Sequence, residues 1–373
     1  MNRQIENIYK KAGLAASGLI SSVKPHLRMF LRFLALPYCF FYLINWQECK
    51  RSKVRVCGDL LYIFFVFKYY PYNYSLCRLW EKPRADWAFY YGSIYEPYQR
   101  AKLSREVQRE EYKIIFDDKE VCHQVCKSLD LPLPQQVGIL DPESSYAREL
   151  EIFLDNHPHK DLIIKPVRGA GGKDILLARK DEKSVRINDG KSVYGIEDLS
   201  LRYRSVVQVY LEQHPELKFG SKSFNTIRIV TLLTKQNEVI VLGAFMRIGL
   251  GGSYLDNTSA GGVTVGINLE KGLLNDVAND FSSRVYSRIP DSNKEFAGAK
   301  IPYWKEVMSI AKKGQKSFGY YKLLGFDIGI TPTGPVLVEI NPLHDNIGLE
   351  QATGPLLVKS EIRNAFAEYG LLS

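Results

Sequence analysis

Residues 163–175 read Ile163-Ile164-Lys165-Pro166-Val167-Arg168-Gly169-Ala170-Gly171-Gly172-Lys173-Asp174-Ile175. The stretches 161–165 and 174–178 both have the pattern of short strands, so the glycines lie in the loop between them. Glycines let backbone N–H groups close around phosphate oxygens, and Lys165 adds a fixed positive charge beside them. A P-loop is excluded, because no Gly-Lys-Ser/Thr sequence closes the loop and a strand follows it. The segment indicates a flap over a nucleotide, although an ordinary glycine-rich hairpin has the same local pattern.

A second hairpin, near the end of the chain, carries three oxygen ligands. Strands are predicted at residues 323–330 and 336–341, with a turn at residues 331–334. Asp327 lies on the first strand, and Glu339 and Asn341 share a face of the second because strand side chains alternate. Mg²⁺ prefers such oxygen donors and neutralises the charge that develops during phosphoryl transfer. This hairpin is therefore the predicted metal site.

Two arginines between these hairpins are candidates for binding phosphate or an acyl phosphate. Arg228 shares a face with Thr226 on a strand predicted at residues 226–233. A guanidinium matches phosphate geometry and stays charged in a dry pocket, whereas a surface salt bridge is the competing interpretation of Arg228. Arg247 opens a glycine-rich loop, residues 247–262, which is suited to cover a reacting centre and exclude water. A long flexible surface loop is the other interpretation of this segment.

The first third of the chain differs in composition from the rest. Residues 1–116 contain 19 Lys and Arg against 9 Asp and Glu, a net charge of +10, and 13 of the 23 tyrosines. The remaining residues have a net charge of −1. Basic, aromatic surfaces suit anionic membranes, nucleic acid or sugar polymers, but an aromatic core beneath a solvated basic face has the same composition.

The secondary-structure pattern changes near residue 117. Residues 2–111 are mostly helical, and strands and helices alternate after a helix capped by Asp117 and Asp118. We therefore predict a mixed α+β protein with parts at residues 1–116, 117–212 and 213–373. No apolar run reaches the roughly 18 residues of a spanning helix, and the first residues lack a signal-peptide pattern, so we expect a cytoplasmic protein. The six cysteines are expected to be free thiols, because all lie in the first third of the chain.

The glycine-rich flap, the strand with Arg228, the glycine-rich loop and the acidic hairpin follow one another in the chain. In this order they resemble the ATP-grasp superfamily over residues 117–351. The resemblance implies an ATP-grasp fold, in which two α+β subdomains clasp ATP, preceded by the mostly helical residues 1–116. It also implies that segment 208–217 is the adenine-binding hinge, where residues 208–211 contact the base and one of two glutamates contacts the ribose. The residues that the resemblance assigns to the nucleotide are Lys119, Lys165, Gly169, Gly171, Gly172, Gln208, Val209, Tyr210, Leu211, Glu212 and Glu216.

The resemblance also implies roles in metal binding and catalysis. Asp327, Glu339 and Asn341 match the family's set of ligands for Mg²⁺, with two ions expected, and Arg228 matches its phosphate-binding arginine. The loop is similar to that of glutathione synthetase-like members, which closes over the acyl phosphate, and this makes Arg247 and Asn257 catalytic candidates. His344 follows the metal strand and is a candidate general base for the amine, although it equally suits a hydrogen bond within its loop.

Within the superfamily, the sequence motifs are most similar to those of the sugar-transfer-associated ATP-grasp branch. The resemblance rests on residues 213–217, 225–228, 256–257 and 261–262. Residues 1–116 depart from the α/β lobe that precedes the nucleotide site in amino-acid ligases, so the family's usual acceptor site is not carried over.

The resemblance implies an ATP-dependent carboxylate-amine ligase that forms an amide through an acyl phosphate. The polysaccharide link favours joining an amino acid or other small amine to a sugar acid, or an amino acid to an aminosugar, on a nucleotide- or lipid-linked glycan. The basic residues 1–116 would contact an anionic membrane or a lipid-linked glycan at the inner membrane surface, and nucleic acid is not the expected partner. Two alternatives stay open: an ATP-grasp phosphotransferase acting on a sugar or glycan hydroxyl, and a membrane- or nucleic-acid-binding protein with an inactive nucleotide fold.

Overall fold

The computed structural model describes residues 33–34, 36–67, 71, 73–92, 107–169, 172–181, 184–250, 261–343 and 346–372. Contacts among them define two compact units. The first unit contains the described residues up to Val107, Ser282–Arg284 and residues 346–372. The second unit contains the described parts of Gln108–Phe281 and Val285–His344. The finer division predicted at residues 117 and 213 stays a prediction.

The regular elements of the described residues are mixed helices and antiparallel strands. In chain order, the α-helices are α1 (Leu36–Tyr38), α2 (Lys53–Tyr62), α3 (Asn73–Leu76), α4 (Ile114–Asp117), α5 (Lys119–Ser128), α6 (Tyr146–Asp155), α7 (Trp304–Ser317), α8 (Asn346–Thr353) and α9 (Ser360–Glu368). The strands are β1 (Gln136–Leu140), β2 (Leu162–Pro166), β3 (Leu176–Lys180), β4 (Val185–Asn188), β5 (Val193–Gly195), β6 (Ser205–Val209), β7 (Thr226–Leu233), β8 (Val239–Ile248), β9 (Val263–Asn268), β10 (Leu273–Asn279), β11 (Val285–Tyr286), β12 (Leu323–Thr331) and β13 (Gly334–Asn341). Two π-helical turns follow α1 and α2, at Cys39–Leu43 and Ile63–Phe67.

The larger sheet of the second unit has the strand order β11-β10-β9-β8-β7-β12-β13, and neighbouring strands are antiparallel. All nine residues of β12 are buried, as expected for a strand with an almost continuous apolar sequence that is paired on both sides, with β7 and β13. Helix α7 packs closely on this sheet, because Gly314 has no side chain and a Cβ there would lie 2.6 Å from the Phe326 ring. The predicted hairpin is confirmed as β12 and β13.

The smaller sheet has the strand order β1-β6-β2-β3-β4-β5, again with antiparallel neighbours. Its strands β2 and β3 are the two strands predicted around the glycine-rich segment. Helix α5 follows Asp118, whose carboxylate accepts hydrogen bonds from the N–H groups of Glu120 and Val121, so the predicted cap is confirmed. The Lys119 N–H donates to the Val167 carbonyl over 3.0 Å and ties the start of α5 to the segment after β2.

The first unit is built from short helices around an aromatic core. Trp87 and Tyr74 are fully buried and meet edge to face, with ring centroids 5.8 Å apart. The buried Asp59 accepts hydrogen bonds from the Tyr74 hydroxyl and from Arg51, and it also pairs with Arg84. These contacts agree with the prediction of a mostly helical N-terminal region. In the part of the chain that the structure describes, no helix has the length and apolarity needed to cross a bilayer.

Candidate active site

A cavity of about 340 Å³ lies between the two sheets of the second unit. This is the size range of small-molecule sites. Its walls come from β2 and the start of the flap, from the end of β6, from α5, and from the strands β7, β8, β12 and β13. The flap and the acidic hairpin, which are separated by more than 150 residues in the sequence, therefore face the same space.

Lys119 connects the two hairpins across this cavity. It is the first residue of α5, and its Nζ donates to the Gly169 carbonyl over 2.8 Å and lies 3.6 Å from Glu339 Oε1. Gly169 has a φ of +150°, a conformation that side chains disfavour, so this glycine allows the flap to turn toward the lysine. One cation thus contacts both the glycine-rich flap and the predicted metal site.

Lys165 extends from β2 into the same cavity. Its Nζ lies 3.3 Å from the side-chain oxygen of Gln208, which is directly opposite Ile163 on the paired strand β6. Residues 208–211 continue along the wall, so the predicted hinge lines the cavity. The N–H of Val209 donates to the Gln135 carbonyl, and that of Tyr210 to the Asp161 carbonyl, which fixes the hinge backbone. Its role in binding adenine stays a prediction.

The acidic hairpin and the two arginines form one network around Asp327. Arg228 and Asp327 are directly opposite each other on β7 and β12, and Asp327 is directly opposite Glu339 on β13. Arg228 donates through Nε to Asp327 Oδ1 and through Nη2 to Oδ2, and Arg247 Nη2 lies 3.0 Å from Oδ2. The side-chain amide of Asn341 also donates to Oδ2 over 2.9 Å. The carboxylate therefore holds both guanidiniums at the cavity wall.

The charge state of Asp327 follows from this arrangement. Burial alone would raise the pKa of its carboxyl, because a charged group loses its hydration there. The guanidiniums of Arg228 and Arg247 outweigh the burial and hold the pKa below its ordinary value, so the group is ionised at neutral pH. Arg247 is positioned further by the Thr226 hydroxyl, which accepts from its Nη2 over 2.6 Å.

The predicted metal ligands fit Mg²⁺ in kind. Asp327, Glu339 and Asn341 all line the cavity and offer two carboxylates and one amide oxygen, while water and phosphate oxygens complete the coordination of Mg²⁺ in nucleotide sites. The Asn341 amide nitrogen already donates to Asp327, which leaves its oxygen as the atom for a cation. Within the described ranges, no three His, Cys, Asp or Glu side chains cluster closely enough to hold a metal by themselves.

The structure brings together most, but not all, of the predicted site residues. Gly169 and Gly172 line the cavity, whereas Gly171, Asn257 and His344 lie outside the described residues. Among the described candidates, Glu212 and Glu216 are not part of the cavity wall, and Glu212 lies 3.6 Å from Lys218 instead. Their predicted contact with ribose stays a prediction.

Three further features of the wall were not predicted as site residues. Lys173 adds a cation to the wall. Its place directly after the flap glycines was the sequence signal that could have identified it. Cys122 and Cys126 of α5 line the cavity, with their sulfurs 4.0 Å apart. Their mutual hydrogen bond and their burial raise the pKa of Cys122, so the thiol is neutral and contributes as a small apolar group.

The wall of the cavity carries a net positive charge, although residues 117–373 as a whole do not. Among the described wall residues, lysines and arginines outnumber carboxylates by five to two. Residues 117–373 carry a net charge of −1, so this excess is local. Apolar side chains such as Ile163, Phe224 and Leu337 line the remainder of the wall. An apolar slot beside a cationic pocket suits a ligand with a flat ring and a polyphosphate.

Comparison with known proteins agrees with this geometry. The sequence profile of a family described as sugar-transfer associated ATP-grasp matches residues 98–364, well over half of the chain. No curated protein matches the sequence.

Several solved structures are similar in fold at low sequence identity. An N5-carboxyaminoimidazole ribonucleotide synthetase from Thermotoga maritima is 10% identical with a TM-score of 0.36, over 63% of this chain and 44% of that one. A RimK domain ATP-grasp protein from Sphaerobacter thermophilus is 11% identical with a TM-score of 0.38, over 71% of each chain. The D-alanine-D-alanine ligase from Coxiella burnetii is 13% identical with a TM-score of 0.37, over 69% and 59%. The chain spans less than half the length of the Thermotoga synthetase.

Proposed function

The chain belongs to the sugar-transfer associated ATP-grasp family, and we propose that it is an ATP-dependent ligase that joins a carboxylate to an amine. The observation that carries the proposal is one cavity that contains Lys119, Lys165, Arg228 and Arg247 opposite an acidic hairpin. Such a site can hold a triphosphate, a divalent cation and an anionic acceptor at the same time.

The reaction needs activation because a free carboxylate is a poor electrophile. A carboxylate oxygen of the substrate attacks the γ-phosphorus, the bond from that phosphorus to the bridging oxygen breaks, and ADP leaves with the electron pair. The amine nitrogen then attacks the acyl carbon, phosphate leaves, and the nitrogen loses a proton. The protein supplies positioning and charge neutralisation for both steps.

The side chains divide these tasks by position. Lys165 and Lys119, beside the flap, bind phosphate oxygens, and Arg228 on β7 neutralises the transferred group. Arg247, next to the glycine-rich loop, binds the acyl phosphate and the oxyanion formed from it. Asp327, Glu339 and Asn341 hold Mg²⁺, which when bound screens the charge on the terminal phosphates. Residues 208–211 bind adenine.

The family's description favours a substrate linked to polysaccharide biosynthesis. We propose that the enzyme attaches an amino acid or another small amine to a sugar-linked carboxylate in the cytoplasm. The acceptor would be held on a lipid or nucleotide carrier, and the basic residues 1–116 would contact the anionic membrane surface or the carrier.

Trapping with hydroxylamine tests the ligase reaction. Purified protein with Mg²⁺ and ATP is first screened with pairs of sugar acids and amino acids for release of ADP. The carboxylate of a pair that releases ADP is then incubated with the protein and ATP, with hydroxylamine in place of the amine. A hydroxamate, absent with the Glu339→Gln variant, supports the ligase. Release of ADP with a phosphorylated sugar and no hydroxamate identifies a phosphotransferase instead. No turnover with any pair, together with no binding of ATP, would refute the enzyme proposal.

A further inference from the structure

The first unit exposes a concentration of large apolar side chains between residues 33 and 66. Seven of the seventeen large hydrophobic side chains that are exposed among the described residues lie between residues 33 and 66. Phe41 is 67% exposed, Phe65 53% and Val54 83%. Single exposed hydrophobic residues are normal on a protein surface, but such a concentration marks an interaction site.

The segment 33–43 is apolar on both of its faces. Leu36 and Cys39 are buried in the core, whereas Phe33, Phe41 and Tyr42 are exposed. No residue from 33 to 47 is charged. An apolar segment with only one face in the core presents its other face to whatever lies outside the core, and an apolar environment such as lipid suits that face.

Helix α2 and the π-helical turn after it repeat the pattern. Val56 and Leu60 are buried, whereas Val54 and Phe65 are exposed on the other side. The ring of Phe33 lies 6.0 Å from that of Phe65, so the outer faces of the two segments meet. We call the seven exposed apolar side chains of these segments, Phe33, Leu34, Phe41, Tyr42, Val54, Phe65 and Val66, the outer apolar face.

Basic side chains lie beside the outer apolar face. Lys50 is exposed just before α2, and Lys53 and Arg55 are exposed in its first turn. The Lys53 ammonium lies 6.0 Å from the centre of the Trp46 ring. The 32 residues that precede the described part add six Lys and Arg against a single Glu. Aromatic and cationic side chains bordering an apolar face are typical of proteins that sit at the surface of an anionic bilayer.

We propose that the outer apolar face enters one leaflet of an anionic membrane, with Lys50, Lys53 and Arg55 at the level of the lipid headgroups. A lipid surface accounts for both features, because acyl chains accept the apolar side chains and anionic headgroups attract the basic ones. A symmetric pairing of two copies through this face would bring the basic side chains of both copies close together, which is unfavourable. The outer apolar face would make the membrane contact of the proposed function, on which this inference rests. That contact needs neither ATP nor the ligase reaction.

The test measures vesicle binding by the full-length protein without nucleotide. Vesicles of phosphatidylcholine, with and without phosphatidylglycerol, are sedimented with wild type and with the double variant Phe41→Ser/Phe65→Ser. Wild type should bind the anionic vesicles, and the double variant should bind about 100-fold more weakly, about tenfold for each phenylalanine. The matched control, Tyr203→Ser/Val193→Ser, removes exposed apolar side chains from the second unit and should bind like wild type.

Two further measurements identify the mode of contact. The variant Lys53→Glu/Arg55→Glu should bind anionic vesicles about 30-fold more weakly than wild type. Loss of each basic side chain lowers the affinity about fivefold, and the negative charge that replaces it lowers the affinity further. Brominated acyl chains should quench the tryptophan fluorescence. The quenched residue should be Trp46, because Trp80, Trp87 and Trp304 are buried. Quenching should disappear in the Phe41→Ser/Phe65→Ser variant.

Three results would overturn the proposal. One is absence of wild-type binding to anionic vesicles, and another is equal binding by wild type and Phe41→Ser/Phe65→Ser. The third is a wild-type dimer that the same substitutions dissociate without any binding to vesicles, which would assign the outer apolar face to a second copy. Binding of ATP is measured on every variant in parallel, so failure of the membrane proposal is separate from failure of the proposed enzyme.

Discussion

Replacement of Asp327 by Asn tests whether one buried carboxylate holds the arginine pair. The Asp327 side chain is 2% exposed and those of Arg228 and Arg247 are 13% and 17% exposed, so water cannot replace the lost charge fully. Removing one partner of a buried ion pair costs about 3–5 kcal/mol. Because Asn keeps one acceptor oxygen and both guanidiniums border the cavity, we expect Asp327→Asn to lower the free energy of unfolding by about 3 kcal/mol.

The assay is hydrogen exchange of peptides that cover β7 and β12, since it reports the opening free energy of these strands rather than of the first unit. The control is Asp161→Asn, which removes a carboxylate paired with Arg179, a residue whose side chain is 66% exposed. That pair should contribute less than about 1 kcal/mol. Equal, small changes in the two variants would refute the view that Asp327 anchors the arginines.

The same carboxylate predicts how the stability of the second unit depends on pH. Its folded-state pKa lies below the unfolded value, so the carboxylate stabilises the fold above the unfolded pKa of about 3.9. This contribution is lost as the pH falls through the folded-state pKa. In metal-free buffer, wild type should therefore lose more stability below about pH 4 than Asp327→Asn does. Parallel pH profiles of the two proteins would contradict this assignment.

Three further predictions concern the nucleotide site and the core beneath it. Glu339→Gln should lower Mg²⁺-dependent release of ADP by about 10²-fold or more, because the cation loses a charged ligand; metal-free nucleotide binding should change much less, because Lys119, which loses its ion pair with Glu339, keeps its hydrogen bond to Gly169. Unchanged turnover would contradict the metal role. Lys165→Ala should weaken ATP binding, measured by calorimetry, about 10- to 100-fold through the loss of one charge-assisted hydrogen bond, and an unchanged affinity would exclude this lysine from the phosphates. Gly314→Ala should lower the melting temperature of the second unit, because the new Cβ would lie 2.6 Å from the ring of Phe326, whereas Gly348→Ala, with no atom within 4 Å, should not.

Local patterns in the sequence were sufficient for the elements that carry the candidate site, whereas the ATP-grasp fold was implied by the family resemblance. The strands around the flap, the cap at Asp118 and the hairpin of β12 and β13 depend on neighbours in the sequence, and each lies where it was predicted. The alternation of side chains on β13 also placed Glu339 and Asn341 on one face. Such features are set by periodicity and turn chemistry, which a single sequence displays.

The pairing partners of the site residues could not be predicted in the same way. Arg228 and Asp327 are opposite each other only because β7, which precedes β12 by about 90 residues, pairs with it in the sheet. The hydrogen bond from Arg247 to Thr226 likewise depends on the register of β8 against β7. Sequence periodicity identifies the face of a strand but contains no information on its neighbour. Asp327 was therefore predicted only as a metal ligand, although the structure also shows it as the anchor of two guanidiniums.

The two roles of Asp327 are linked by the number of hydrogen bonds that a carboxylate can accept. Its two oxygens accept from Arg228 Nε, Arg228 Nη2 and Asn341 Nδ2, and Arg247 Nη2 lies 3.0 Å away. About four acceptor sites exist on a carboxylate, so this arrangement occupies them all. Asp327 becomes available to a cation only if a guanidinium turns toward another anion, and a bound triphosphate is such an anion.

Cation binding at Asp327 should therefore follow nucleotide binding. Mn²⁺, which accepts the same oxygen ligands as Mg²⁺, is a spectroscopic probe for this order. Without nucleotide, Asp327→Asn should leave the affinity for Mn²⁺ unchanged, because the carboxylate is engaged by the arginines. With a non-hydrolysable ATP analogue, the same variant should bind Mn²⁺ about tenfold or more weakly than wild type. A loss of the same size under both conditions would show that the arginines do not compete with the cation for Asp327.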